Sequence, residues 1–290
     1  MSTRDRPLKL GTRASPLALA QAGLVAGAIT GPVELVALRT SGDGGDAPAE
    51  DKRRWVDRIE DALVAGEIDL AVHSAKDLPG TLADGLEIAG APARVDARDA
   101  LCGAASLAAL RHGARVGTSS LRREAQLRAL REDLEVVAIA GNVDTRLRRL
   151  STEDLDAIVL ACAGLQRLGR PPGAALDELI PAVGQGSLAI EARSGDERVA
   201  AAIAALRHAP TEQALLCERT LASALGAGCH TPIGGYAQSL PDGLLELRAF
   251  VGRADGSAWT RDVLRGEEPV ALGEAVAARL LSVGAEELLE

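Results

Sequence analysis

Five times in this chain a short apolar run ends in a polar or glycine turn and passes into a helix-like pattern. The runs are Leu8 to Leu10 before "GTRASPLALAQAG", Ile68 to Val72 before "HSAKDLP", and Arg115 to Val116 before "GTSSLRREAQLRAL". Val136 to Ile139 before "AGNVDTRLRRL" and Ala157 to Ala161 before "CAGLQRLG" complete the set. Strands alternating with helices are joined by crossovers, so the repetition implies parallel sheets and an α/β fold. Ligands of such sheets sit beyond the carboxyl ends of the strands, where all five turns fall. The polar residues gathered there are Arg13, Ser15, Ser74, Lys76, Asp77, Thr118, Ser119, Ser120, Arg122, Arg123, Arg146 and Arg167. That set is cationic and hydroxylic, and Gly117 to Ser120 also precede a helix whose free N–H groups favour an anion. A polycarboxylate or a phosphate is the ligand it predicts.

Charge narrows the choice. The formal net charge of −9 disfavours a general nucleic-acid binder, whose affinity depends on clustered Lys and Arg. Between Arg111 and Leu150, however, nine arginines face five acids. This local surplus reads either as an anion site or as a solvated helix face, and Arg128, Arg131, Arg148 and Arg149 are assigned to solvent. Only Lys9, Lys52 and Lys76 represent lysine among 32 basic residues, so a surviving lysine suggests a need for a compact charge. No stretch approaches the ~20 apolar residues of a membrane span, and "MSTRDRPLKLGTR" lacks a signal peptide's apolar centre. The expectation is a soluble, cytoplasmic protein without a membrane partner.

A chain of 290 residues exceeds what one core usually serves, so several small α/β domains are expected. Their cores must be Leu, Ala, Val and Ile, because the whole chain has only four aromatic residues. "GAPARVDARD", residues 90–99, reads as a hinge, and "PAVGQGSLAIEAR", residues 181–193, as a return crossing. A helix opened by Pro210 and Thr211 comes next. "LLELRAFVGRADGSAWTRDVLRG" then alternates like a small antiparallel sheet, and a closing helix follows it.

Two residues stand out chemically. Cys102, Cys162, Cys217 and Cys229 show no C-x-x-C spacing, which argues against a disulfide framework and a zinc cage. The first three have apolar neighbours and suit burial. Cys229 sits in "GAGCHTPIGG", where glycines let backbone or ligand approach closely, so a reactive thiol and an exposed loop thiol both fit. His230 beside it lacks an orienting third group, which disfavours a cysteine hydrolase. Asp77 follows an apolar strand beside Lys76; it reads as a general acid or a stabiliser of cations, or as the cap of the turn before Pro79. His73 is assigned to structure.

The motifs "GTRASPLALAQA", "DLAVHSAKDLP", "VGTSSLRREAQL", "GNVDTRLRRL", "LACAGLQRLG", "PAVGQG" and "GAGCHTPIGGYA" together resemble the hydroxymethylbilane synthase family, also called porphobilinogen deaminase. They occur in that family's order from Leu10 to about Tyr236. The resemblance implies a transferase of tetrapyrrole and haem biosynthesis. It would join four porphobilinogen molecules, with loss of ammonia, onto a covalent dipyrromethane primer and then release hydroxymethylbilane by hydrolysis.

It also implies two periplasmic-binding-protein-like domains with parallel-rich sheets, residues 1–92 with 187–207 and residues 97–182. A smaller α/β cofactor-attachment domain would span 210–290. Cys229 would carry the dipyrromethane, and Asp77 would be catalytic, stabilising azafulvene and pyrrolenine cations. Ser74, Lys76, Thr118, Ser120, Arg122, Arg123 and Arg146 would grip cofactor carboxylates. Arg13, Ser15, Gln21 and Arg167 would meet substrate, with Lys52 and Trp55 on a lid loop. The expected partner is porphobilinogen, taken by a monomer that binds no nucleic acid.

This chain departs from the family pattern twice. Its lid segment "GGDAPAEDKRRWVDRIE" is shorter and lacks a further lysine, and Ala140 stands where an arginine is usual. Arg53, Arg54 and Arg148 are candidate substitutes for that arginine. A binding module without catalysis would explain two cationic α/β domains but neither Asp77 nor the glycine-framed cysteine. A nucleic-acid-binding regulator using residues 122–149 conflicts with the acidic total and the scarcity of aromatics.

Overall fold

Ser15 and Pro16 start the first helix for two separate reasons. Ser15 Oγ accepts from the Ala18 N–H at 3.3 Å, and Pro16 brings a fixed φ to a position that needs no N–H. The computed structural model describes residues 6–44, 52–226 and 231–289. Cys229 lies outside the described residues, as does the side chain of Lys52.

From the N-terminus come β1 (Leu8–Arg13), α1 (Pro16–Ala28), β2 (Val33–Leu38), α2 (Asp57–Val64), β3 (Leu70–Ser74) and β4 (Leu86–Gly90). Next are β5 (Asp99–Cys102), β6 (Arg115–Gly117), α3 (Leu121–Leu130), β7 (Glu135–Val137) and α4 (Val143–Thr152). β8 (Ala157–Ala161), α5 (Cys162–Arg167), β9 (Ala174–Leu176), β10 (Leu188–Arg193) and α6 (Glu197–Ile203) follow. The chain closes with α7 (Ala209–Ala224), β11 (Ile233–Ser239), β12 (Leu245–Gly252), β13 (Trp259–Gly266) and α8 (Pro269–Ser282). It divides into two compact units, Met1–Arg94 with Ser187–Glu212, and Val95–Gly186 with Gln213–Glu290.

The first unit holds a sheet in the order β2-β1-β3-β10-β4. β1 runs parallel to β2 and β3, while β10 returns antiparallel between β3 and β4. β3, inside the sheet, is buried along Leu70 to Val72, which is why it reads as a continuous apolar run rather than an alternating one. Leu10, Leu70 and Ile190 pack on one side against Val25 of α1 and Val199 of α6. Ile68 and Ala71 pack on the other against Ile59 and Leu63 of α2.

The second unit repeats the plan with the order β7-β6-β8-β5-β9. β6 is parallel to β7 and β8, and β5 is antiparallel to β8 and β9. Leu127 of α3 covers Leu101, Val116 and Val159, and Leu165 of α5 covers Ile158 and Leu160. The same unit carries the antiparallel sheet β11-β12-β13, whose Leu247, Ala249 and Val251 pack on Leu221 of α7 and Val276 of α8. Gly273 lets α8 lie against α7, since a Cβ there would stand 2.6 Å from the Cys217 carbonyl oxygen. The fold is the expected α/β architecture with parallel-rich sheets and a smaller C-terminal sheet with its helices.

The division between the two units, at Arg94 and Val95, falls inside the segment read as a hinge, and the last residue of that segment, Asp99, opens the buried strand β5. One expectation needs correction. Arg131, read as solvent-facing, is the C-cap of α3 and donates to Asp133 at 2.7 Å and to the Leu107 carbonyl at 2.7 Å. The chain turns back at that point, so its guanidinium lies over the loop with its side chain only 25% exposed. Cys102 and Cys217 are buried as expected, whereas Cys162 is only partly covered. Among the described residues no helix is long and apolar enough to cross a membrane.

Candidate active site

In the first unit β3 ends at Ser74 and tightens into a single 3-10 turn, Ala75–Asp77. The Ala75 N–H donates to the Ser187 carbonyl at 3.0 Å, and the Leu78 N–H closes the turn onto the Ala75 carbonyl at 3.3 Å. Lys76 and Asp77 are thereby left half-buried at the carboxyl end of the strand. Among the described residues the Asp77 carboxylate meets no hydrogen-bond or ion-pair partner, so it does not cap the turn.

The neighbouring side chains are more committed. Gln21, buried in α1, donates through Nε2 to Ser74 Oγ at 2.8 Å and fixes the end of β3 to that helix. Ser15 is occupied as the α1 cap. The Arg13 guanidinium lies 4.2 Å from the centre of the Trp55 ring, and that of Arg54 lies 4.7 Å from it. Both are cation–π contacts, worth about 0.5–2 kcal/mol each according to how far they are desolvated. They give the first unit a cationic patch built on its single tryptophan.

In the second unit the β6–α3 turn is self-capped. Ser120 Oγ accepts from the Arg123 N–H at 3.4 Å, Thr118 Oγ1 accepts from the Ser120 N–H at 3.2 Å, and Ser119 Oγ donates to the Ile139 carbonyl at 2.7 Å. The α4 turn is built similarly. Gly141 has φ 108°, a value L side chains avoid, and Asn142 Oδ1 accepts from the Thr145 N–H at 2.9 Å.

Arg122 and Arg123 point inward from the first turn of α3, and both bind Asp99. Arg122 also donates to the Ile180 carbonyl and Arg123 to the Val159 carbonyl, while Gln185 adds a third donor to Asp99 at 2.8 Å. Burial opposes ionisation of Asp99, but the two guanidiniums overcome it and hold its carboxyl well below the usual range. Two cations share one anion, which leaves a net positive charge in a desolvated place. Arg122 Nε is buried with no hydrogen-bond partner among the described residues.

Arg146 and Arg167 differ from that pair. Arg146 donates through Nε to the Gly141 carbonyl at 2.8 Å, and Arg167 through Nη2 to the Gly186 carbonyl at 2.7 Å. Neither pairs with a carboxylate among the described residues. Burial pulls Arg167 down to about 10, and burial with the nearby charges of Arg123 and Arg149 lowers Arg146. Half-buried guanidiniums without counter-charge are stabilised by an incoming anion, and bidentate carboxylates suit them geometrically. The donor set therefore fits a group rich in carboxylates.

Asp99 and Gln185 were not singled out from the sequence. The available signal was an acid beginning the short apolar run "DALC", which is weak because its partners lie 23 and 24 residues further on.

Residues 8–201 match the family described as "Porphobilinogen deaminase, dipyromethane cofactor binding domain", and residues 213–282 match its C-terminal domain. A porphobilinogen deaminase of Roseiflexus sp. is 46% identical over 97% of this chain and 98% of its own length. That of Halalkalibacterium halodurans is 42% identical over 98% and 97%. Among solved structures, a periplasmic substrate-binding protein of an ABC transporter from Coxiella burnetii is 16% identical, with TM-score 0.41 over 73% of this chain and 96% of that one.

Proposed function

Since the chain belongs to the porphobilinogen deaminase family, we propose a division of labour among its residues for the hydroxymethylbilane synthase reaction. The enzyme is a transferase that joins four porphobilinogen molecules, losing ammonia at each addition, and releases the linear product by hydrolysis. Its cofactor is dipyrromethane, which when bound supplies the pyrrole carbon at which addition begins.

Cys229 tethers that cofactor through a thioether. Arg146, with Arg122, Arg123, Lys76, Ser74, Thr118 and Ser120, receives acetate and propionate groups. Arg167, Arg13, Ser15, Gln21 and Lys52 serve the incoming substrate. Asp77 as the acid delivers its own proton to the aminomethyl nitrogen as the C–N bond breaks and ammonia leaves, and the carboxylate so formed accepts a hydrogen bond from the substrate pyrrole N–H and stabilises the cation left on the substrate. The observation that carries the assignment is the Asp77 carboxylate at the end of β3, which meets no partner among the described residues. A carboxylate already held by an internal donor would be a poorer stabiliser of a transient cation.

The same reading has the chain working in the cytoplasm as a monomer that binds no nucleic acid. Its three domains are residues 1–92 with 187–207, residues 97–182, and residues 210–290. Mass spectrometry of the intact protein tests it. The purified chain should be heavier than its sequence by two linked pyrrole units, with the added mass on the peptide containing Cys229. A bare mass in protein from a host that makes tetrapyrroles would overturn the tether.

A further inference from the structure

His73 and Glu191 form a buried polar pair that the reaction above does not use. Nε2 of His73 lies 2.9 Å from Oε2 of Glu191, and the two side chains are 3% and 0% exposed. They stand on neighbouring antiparallel strands, with His73 opposite Ala189 and Glu191 opposite Ala71, so they meet diagonally on one face. The contact is close without the geometry of a hydrogen bond: His73 Nε2, both carboxylate oxygens of Glu191 and Oε1 of Glu60 on α2 are all buried without a hydrogen-bond partner among the described residues. The pair is thus an expensive arrangement. Apolar residues of similar volume generally hold two strands together at least as well.

What apolar residues do poorly in this place is fix the register. β3 reads Leu-Ala-Val-His and β10 reads Leu-Ala-Ile-Glu, both wedged inside a sheet that is apolar on both faces. A slip of one residue sends every side chain to the opposite face, and a two-sided apolar strand resists such a slip only weakly. A slip of one residue would put His73 and Glu191 on opposite faces and break their contact. It lies one residue before Ser74, where β3 gives way to the turn held by the Ala75-to-Ser187 hydrogen bond.

We propose that His73 and Glu191 are positioning residues that lock β3 against β10 and so fix where the turn holds Asp77. The proposal rests on the assignment of Asp77 as the catalytic carboxylate. A misplacement of about 1 Å at a reacting group can lower a rate by about 100-fold, so the register sets a rate as well as a stability.

The test is the double variant His73→Leu/Glu191→Leu, with melting temperature, intact mass, kcat and KM for porphobilinogen measured together and rates expressed per cofactor-loaded enzyme. The expected result is a melting temperature at or above that of the wild type, a kcat about 10- to 100-fold lower, and a KM changed less than about 3-fold. A kcat within about twofold of wild type would overturn the proposal, because the pair would then serve stability alone. Should the leucine pair not fold, His73→Ala/Glu191→Gln decides, since it removes the contact without leaving a buried charge: a kcat at least tenfold lower supports the register role, and a kcat within about twofold of wild type refutes it. Asp77→Ala in the same assay separates the two readings, since unchanged turnover there would sink the assignment of Asp77 itself.

Discussion

Nη1 of Arg122 donates to Oδ2 of Asp99 at 2.8 Å, in a place where the aspartate is wholly shielded from solvent. Arg123 and Gln185 complete its coordination, so this one carboxylate orients the start of α3. Asp99→Asn would leave two buried guanidiniums without counter-charge. Breaking a buried pair in this way removes about 3–5 kcal/mol, which urea denaturation would read. The pH dependence has a definite sign. Because the folded carboxyl is held low, its contribution is present above the ordinary aspartate range and fades as pH falls through the folded value. The asparagine variant should lack that acid-side loss.

Glu60 should behave oppositely. Burial and the charge of Glu191 push its carboxyl up, so the fold favours the protonated form. Its contribution is fully present below the ordinary carboxylate range and is lost as pH rises through the folded value. Glu60→Gln, permanently neutral, should therefore melt above the wild type near pH 8, with the difference shrinking towards pH 4. A lower melting temperature across the whole range would contradict the assignment.

Arg146 and Arg167 pair with no carboxylate among the described residues. Replacing either with Leu should leave the melting temperature unchanged or higher. Hydrogen bonds to charged groups are worth about 1.5–3 kcal/mol each, about 10- to 100-fold in binding. We expect that loss as reduced cofactor loading for Arg146→Leu and as a raised KM for porphobilinogen in Arg167→Leu. Lowered melting temperatures with normal loading and KM would mark them as structural.

Asp77→Ala should retain the bound cofactor by intact mass and lose about 100- to 10,000-fold in turnover, the usual range for a positioned proton-transfer group. Porphobilinogen consumption near the wild-type rate would remove Asp77 from the chemistry.

Much of this was legible in residue order. The run Ala157 to Ala161 is the whole of β8, and the other four runs coincide with β1, β3, β6 and β7 to within a few residues. An apolar run followed by a capped helix leaves the strand few alternatives. Strand direction was less legible, because β10 is buried on both faces and its composition is the same whichever way it runs. The arginines show where sequence alone stops. Arg122 and Arg146 look alike in the chain, yet one is bound to Asp99 and the other meets no carboxylate among the described residues. That difference is set by a strand 23 residues before Arg122, in a stretch that reads as a hinge.

The place of β10 also orders events in time. It lies between β3 and β4, which do not pair with each other, yet it is made about a hundred residues after β4. The sheet β7-β6-β8-β5-β9 draws all its strands from residues 99–176 and needs nothing made later. During synthesis on the ribosome, where domains tend to form as units while the chain emerges, the sheet numbered second can close before the first receives its fifth strand, β10. The turn that carries Asp77, anchored on Ser187, would be among the last parts of its unit to reach its final place.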